Sequence, residues 1–362
     1  MRYNFKNQMS KYKLLIAVDE SRFFYLRQFS NALKNHGFEY KVINDLDIND
    51  QDDLSNRYLK WIKTPKKIQN IIQEFRPDVV FTERVSYFSS LILRFNIPLV
   101  IFLRGDYWNE VKNGVKTIHE LKNKRVEVWL KQRIAHRCFN GSTLILPICK
   151  YLEKIVKEHY PDKPTEVLYQ GIDPKDWYPQ KGMNLKHPCV GLLQDAKIWE
   201  KTKEMVTLDK VIEAMPDVTF YWAGDGPYRD KVLPVLEKHD NFKWLGSLQY
   251  PDQVRQFLTE IDVYALISGI DMSPHTILEA SLMEKPVIAT NVGGIPELMQ
   301  DGKTGFLVEK GDYNNLIEKI TLLINDRQKS KEISLAGYNF IKEYFTWDIV
   351  ANNFVKIIKS YL

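Results

Sequence analysis

Cysteine is scarce. Cys138, Cys149 and Cys189 are the only three in 362 residues, odd in number and unrelated by any Cys-x-x-Cys spacing. That pattern argues against a disulfide framework and against a structural zinc site, so the three are expected as core residues. Long apolar runs are also missing: the longest, "LILRFNIPLVIFL", is broken by Arg94, Asn96 and Pro98, short of the ~20 residues that span a bilayer. The opening "MRYNFKNQMSKYKLLIAVDE" carries basic residues but neither a signal-peptide apolar region nor a small-residue cleavage site. A cytoplasmic location is therefore expected. No low-complexity segment or fixed-period repeat occurs. The net charge of +5, with a pI of about 8.7, falls short of the concentrated basic face of a nucleic-acid-binding domain. It favours an anionic ligand or surface.

What is present is a soluble globular composition, 44% hydrophobic and 27% charged, in a chain too long for one ordinary core. Two domains are expected, with room for a cleft between them. Short β-rich runs ("KLLIAVD", "YKVI", "DVVFT", "PLVIFL", "TLILP", then "CVGLL", "VTFYWAG", "FKWLG", "DVYALI", "PVIAT") alternate with longer runs of helical period. Such alternation predicts βαβ units on parallel sheets, an α/β fold. The aperiodic "GIDPKDWYPQKGMNLKHP" reads as the linker. The expected division is 1–178, 179–342 and a terminal helix over 343–362. Trp347, Ile349, Val350, Phe354, Ile357 and Ile358 form that helix's apolar stripe, which predicts packing back on the first domain.

"SGIDMSPHTILEASLMEKPVIATNVGGIPE", 268–297, places Asp271 and Glu279 seven intervening residues apart. "DVYALIS" reads as a strand, "GIDM" as a loop, and Ser273 and Pro274 as the N-cap and first residue of a helix from about Pro274 to Glu284. The leading amides, those of His275 and Thr276 among them, and the helix dipole favour a phosphate or diphosphate. Glu279 lies one turn on, amid Ile277, Leu278, Ala280 and Leu282. A carboxylate left unpaired inside such packing costs several kcal/mol, whereas sugar or ribose hydroxyls would satisfy it. Gly293 and Gly294 then form a turn that allows close backbone approach to a ligand. The bland alternative is a loop acid, a cap and a solvent-facing helix residue.

These residues resemble family 4 of the retaining glycosyltransferases, and the likeness continues through "DGKTGFLV", "WAGDGPY" and "YQGIDPKDWYP". The resemblance implies the GT-B architecture of two Rossmann-like domains facing a cleft. It further implies transfer of a sugar from a nucleotide diphosphate sugar to a glycan or lipid-linked acceptor, the donor being a co-substrate, with no cofactor needed and no metal in the active site. Glu279 would hold the donor ribose, backbone from Pro274 to Ile277 would meet the diphosphate or sugar, and Asp271 would face the transferred sugar. Gly224 and Gly246, ending "VTFYWAG" and "FKWLG", and the Gly293 and Gly294 turn join the donor side. The family's basic pair is altered here. Gly191-Leu192-Leu193 lacks the arginine, and the following lysine is Lys197 or Lys201, of which Lys201 is favoured.

The N-terminal half matches only in outline. "DESRFF" and "FLRGDYW" stand where relatives carry a glycine-rich loop and a histidine, and Arg104 and Asp106 are the candidates in the second. "GDGPYR" imitates a dinucleotide fingerprint but has Arg229 in place of its third glycine, which argues against a nicotinamide enzyme. Basic residues accompany Val126, Trp129, Leu130 and Ile134 at helical spacing over 122–137, a pattern compatible with peripheral contact on an anionic membrane or with a core-packed helix. Two other functions stay open: a GT-B nucleotide-sugar epimerase, and a non-catalytic nucleotide-sugar or membrane-binding module.

Overall fold

A computed structural model describes residues 12–18, 23–44, 57–83, 85–111 and 125–361. Most of the "DESRFF" loop and residues 122–124 of the basic segment lie outside them. Contacts separate the chain into a unit running up to Tyr169 and resumed from Trp347, and a second unit, Gln170–Thr346.

In the first unit β1 (Tyr12–Val18), β2 (Phe38–Asn44), β3 (Val79–Thr82), β4 (Leu99–Leu103) and β5 (Leu144–Pro147) form one parallel sheet in the order β2-β1-β3-β4-β5. Leu14 aligns with Val79, Val80 with Leu99, and Val100 with Leu144. β3, β4 and β5 are buried along their whole length. Helices cover both faces of such a sheet, so its strands read as unbroken apolar runs without alternation. The C-terminal helix, Trp347–Tyr361, packs on the Phe23–Lys34 helix of this unit. Phe354 is fully buried, edge-on to Phe29 at 5.3 Å and to Phe81 at 5.5 Å. Burying such a ring contributes about 2 kcal/mol, and Trp347 adds a hydrogen bond from Nε1 to Gln28 Oε1 at 2.8 Å.

The second unit holds β6 (Cys189–Leu193), β7 (Thr219–Ala223), β8 (Phe242–Gly246), β9 (Val263–Leu266), β10 (Val287–Thr290) and β11 (Phe306–Val308), ordered β11-β10-β9-β6-β7-β8. β6 pairs with β7 on one side and with β9 on the other, all parallel. The chain therefore leaves β6 in one direction and β9 in the other. In a doubly wound sheet the loops part at such a switch point and leave a crevice beyond the carboxyl ends of the strands.

Candidate active site

The crevice beyond β6 and β9 brings together the opening motif's acids and one lysine. β9 runs out at Leu266, and Ser268 is fixed by the neighbouring strand: its amide donates to Thr290 Oγ1 at 3.0 Å, and that hydroxyl donates to Ser268 O at 2.7 Å. The next amide, of Gly269, donates to Lys201 O at 3.1 Å. That bond ties the short Trp199–Thr202 helix after β6 to the loop after β9. Lys201 Nζ then reaches Asp271 Oδ2 at 2.8 Å, both side chains being mostly buried. The other carboxylate oxygen of Asp271 accepts from the amide of Met272 at 2.8 Å. Lys197, in contrast, is largely exposed and pairs locally with Asp195 at 3.4 Å. Of the two candidate lysines, Lys201 is the one beside Asp271.

The helix that follows runs His275–Leu282 and is shorter than expected. Pro274, extended at φ −66° and ψ 117°, is its N-cap and offers no side-chain cap bond. Ser273 is thus displaced from the capping role that its residue type suggested. Proline's preset φ suits the residue at a helix start, and here it takes the cap position itself. Among the described residues the Ser273 hydroxyl is buried without a hydrogen-bond partner. An orphan buried hydroxyl next to uncapped helix amides is the donor array that binds oxyanions. The helix ends at Leu282 with Met283 as its C-cap, ahead of the expected Glu284, which adopts a left-handed φ of +52°.

Glu279 is 2% exposed, in a helix whose other residues from Ile277 to Leu282 are also buried. Its Oε1 lies 3.2 Å from His275 Nδ1, one turn back, while His275 Nε2 lies 3.1 Å from Gly171 O, so the imidazole links the carboxylate to the start of the unit. Thr276 Oγ1 accepts from Tyr264 OH at 2.6 Å. Burial holds the Tyr264 phenol well above its ordinary pKa, and the nearby Glu279 and Asp271 add to that, so it stays a neutral donor. Ile277 is wholly buried, and its amide turns back to Pro274 O at 3.3 Å.

The glycines divide by role. Gly294 donates its amide to Asp271 O at 2.8 Å, and Gly293, at φ +57°, sits where a Cβ would lie 2.0 Å from the same carbonyl. This turn is therefore part of what holds Asp271. Gly224 and Gly246 bond to one another, Gly224 N to Gly246 O at 2.8 Å, at the carboxyl ends of β7 and β8. Beside them Gln194, at the end of β6, has both amide atoms buried and unpartnered among the described residues. Sequence reasoning passed over Gln194 and Tyr264; a polar residue directly after an apolar strand, and a tyrosine inside one, were the available signals.

In the first unit Arg104 Nη1 bonds Glu83 Oε1 at 3.2 Å, joining the ends of β4 and β3. The Glu83 side chain is 2% exposed, and its other oxygen has no partner among the described residues. Asp106 Oδ1 accepts from the amide of Asn109 at 3.0 Å, a local cap. Glu83 was not singled out from the sequence, where nothing links it to Arg104.

The family profile described as Glycosyl transferases group 1 matches residues 198–326, and that described as Glycosyltransferase Family 4 matches residues 24–176. The chain belongs to the group 1, family 4 glycosyltransferases. It is 27% identical over 259 residues to an uncharacterised glycosyltransferase of Methanocaldococcus jannaschii, a match covering 70% of this chain and 66% of that one. In other curated relatives, such as the sulfoquinovosyl transferase of Arabidopsis thaliana (31% identity over 145 residues, 39% of this chain), the match covers a smaller share, 28% in that case. Sucrose-phosphate synthase from Thermosynechococcus elongatus superposes with a TM-score of 0.74 at 13% identity, covering 96% of this chain and 98% of that one. That likeness shows the fold, GT-B with two Rossmann-like domains. Anabaena HepE, solved with UDP and glucose, superposes with a TM-score of 0.69 at 16% identity over 96% and 100% of the two chains.

Proposed function

We propose that this chain transfers a sugar, with retained anomeric configuration, from a nucleotide diphosphate sugar bound in the second unit to a glycan or lipid-linked acceptor. The observation that carries the reading is Glu279, a carboxylate 2% exposed within an apolar helix. Carboxylates are kept in such places when they have hydroxyls or cations to bind. The donor ribose supplies two hydroxyls. The diphosphate takes the uncapped amides of the His275–Leu282 helix, the Ser273 hydroxyl and the Lys201 ammonium. Asp271 addresses the sugar. As the bond between the anomeric carbon and the diphosphate breaks, its electron pair passes to the leaving oxygen. Preorganised amides and an ammonium stabilise that growing charge more than they stabilise the bound ground state. The acceptor hydroxyl oxygen forms the new bond to the anomeric carbon and passes its proton to the leaving diphosphate oxygen. The glycosyltransferase profiles and the neighbour solved with UDP and glucose support this reading.

A lipid-linked acceptor is favoured by the Arg125–Gly141 helix. Trp129 and Leu130 on it are 51% and 40% exposed, and the Arg133 guanidinium lies 4.8 Å from the centre of the Trp129 ring. Exposed aromatic and aliphatic groups amid basic ones suit the headgroup level of an anionic bilayer. Titration of the purified protein with UDP, GDP, ADP and TDP, followed by transfer assays with the sugar nucleotides of whichever base binds, tests the reading. Binding of one nucleotide followed by transfer supports it; turnover of donor alone, or absence of any binding, overturns it.

A further inference from the structure

The amino ends of the central strands β6 and β9 carry a cluster that the transfer reaction does not use. Cys189 opens β6 and Asp262 immediately precedes β9, so the pairing of those strands brings their amino ends together, away from Lys201 and Asp271 at the carboxyl ends. His187 completes the group. Its Nδ1 lies 2.8 Å from Asp262 Oδ2 and 3.8 Å from Cys189 Sγ, and the ligand atoms of the three all fall within 4.8 Å of one another. We propose that His187, Cys189 and Asp262 form a zinc site that fastens the chain entering β6 to the chain entering β9.

The donor set and its surroundings fit that ion. Zinc takes nitrogen, thiolate sulfur and carboxylate oxygen in tetrahedral geometry, at about 2.0 Å to nitrogen and 2.3 Å to sulfur, which sets neighbouring ligand atoms about 3.5 Å apart. The sulfur-to-nitrogen separation is already close to that value. The nitrogen-to-oxygen pair must open by less than an ångström, on order-of-magnitude grounds, and both side chains are about two-fifths exposed, with room to turn (42% and 40%). The outer layer is also in place. Glu260 Oε1 lies 2.9 Å from His187 Nε2, the nitrogen facing away from the cluster, and the Cys189 amide donates to Asp262 Oδ2 at 2.8 Å. A carboxylate on the far nitrogen of a ligating histidine fixes its tautomer and leaves the near nitrogen free for the metal. Lys285 Nζ, held by Thr259 O and Ile261 O at 2.7 Å and 2.9 Å, is the nearby positive group. The charges of one thiolate and two carboxylates balance that ammonium and a divalent ion. On binding, the Cys189 sulfur and His187 Nδ1, which donates to Asp262 in the metal-free protein, each give up a proton to solvent as their bonds to zinc form, and a water completes the fourth position.

The competing reading is an imidazolium clamped between two carboxylates, with the thiol a bystander. Titrating the metal-stripped full chain with zinc by calorimetry, and with cobalt by absorption, separates the two. The zinc site predicts one ion per chain, a higher melting temperature with zinc, and near-ultraviolet thiolate-to-cobalt absorption. Cys189→Ser should abolish that absorption and weaken zinc at least tenfold, on the scale of losing one ligand. Asp262→Asn, which keeps an oxygen acceptor for the Cys189 amide, should also weaken zinc, and Cys138→Ser should change nothing. Absence of stoichiometric binding, or binding that survives Cys189→Ser and Asp262→Asn in folded proteins, would overturn the proposal. Neither result bears on nucleotide binding, which uses the other end of the sheet.

Discussion

Lys201 Nζ lies 2.8 Å from Asp271 Oδ2 and so spans from the segment after β6 to the loop after β9. Charge-assisted bonds of this kind are strong, and at 27% and 14% side-chain exposure the pair is only partly screened. Asp271 holds the ammonium, and on the proposed reading a bound donor's diphosphate would share that charge. Lys201→Ala should reduce kcat/KM for transfer by about 10²–10³-fold, the scale of losing one preorganised electrostatic donor. Lys201→Arg, keeping the charge, should recover part of it. Steady-state kinetics with a nucleotide sugar decide the matter, and an alanine variant with undiminished kcat/KM would remove Lys201 from the reaction.

Arg104, partly exposed, and the buried Glu83 form a second ion pair, in the first unit. Removing one partner of such a pair leaves an uncompensated charge and typically costs about 3–5 kcal/mol. Arg104→Met should therefore lower the urea midpoint strongly, and the double variant with Glu83→Gln should recover much of the loss. A small change in the single variant would show that Glu83 is held by other groups.

Gly293 and Gly246 both have left-handed backbone, at φ +57° and +72°. A Cβ on Gly246 meets nothing within 4 Å, whereas one on Gly293 would strike Asp271 O at 2.0 Å. Gly246→Ala should cost only the ~1–2 kcal/mol of left-handed strain. Gly293→Ala should cost more and also weaken nucleotide binding, because the Asp271 loop must move. Thermal melts and nucleotide titrations of the two variants check this ordering.

Asp209 ties the Leu208–Ala214 helix to His239 Nε2 at 2.7 Å and Lys238 Nζ at 2.8 Å. Burial pushes its carboxyl pKa up, but the bonds from Lys238 and His239 outweigh that and leave it below the ordinary 3.8. A depressed carboxyl contributes stability that is present above its unfolded pKa and lost as pH falls through the folded one. Asp209→Asn should therefore be less stable than wild type near neutrality, by less than about 1 kcal/mol for a solvent-screened group. The difference should vanish once the pH falls below the folded pKa, as stability against pH in urea would reveal.

Much of this was legible in the chain itself. Unbroken runs such as "DVVFT" and "PLVIFL" became buried central strands because parallel sheets are covered on both faces, and the spacing of Asp271 and Glu279 placed both around one helix start. Two kinds of feature escaped. Residue type alone does not choose between Ser273 and Pro274 as cap, since the choice depends on φ and ψ at a single bond pair. Pairs made by strand register, Glu83 with Arg104 and Cys189 with Asp262, join residues that are distant in sequence, and no local period marks them. The sequence favours Lys201 over Lys197, and the Lys201 Nζ to Asp271 Oδ2 pair, against a largely exposed Lys197 beside Asp195, separates them in the fold.

The buried carboxylate of Glu279 is the most direct point of test. Calorimetric titration of wild type and Glu279→Gln with the nucleotide that binds best, with melting temperatures to establish that both fold, isolates its contribution. Loss of charge-assisted bonds to two ribose hydroxyls should weaken binding by about 10–100-fold, from ~1–3 kcal/mol. Equal affinities in two folded proteins would mean that the ribose does not sit on Glu279.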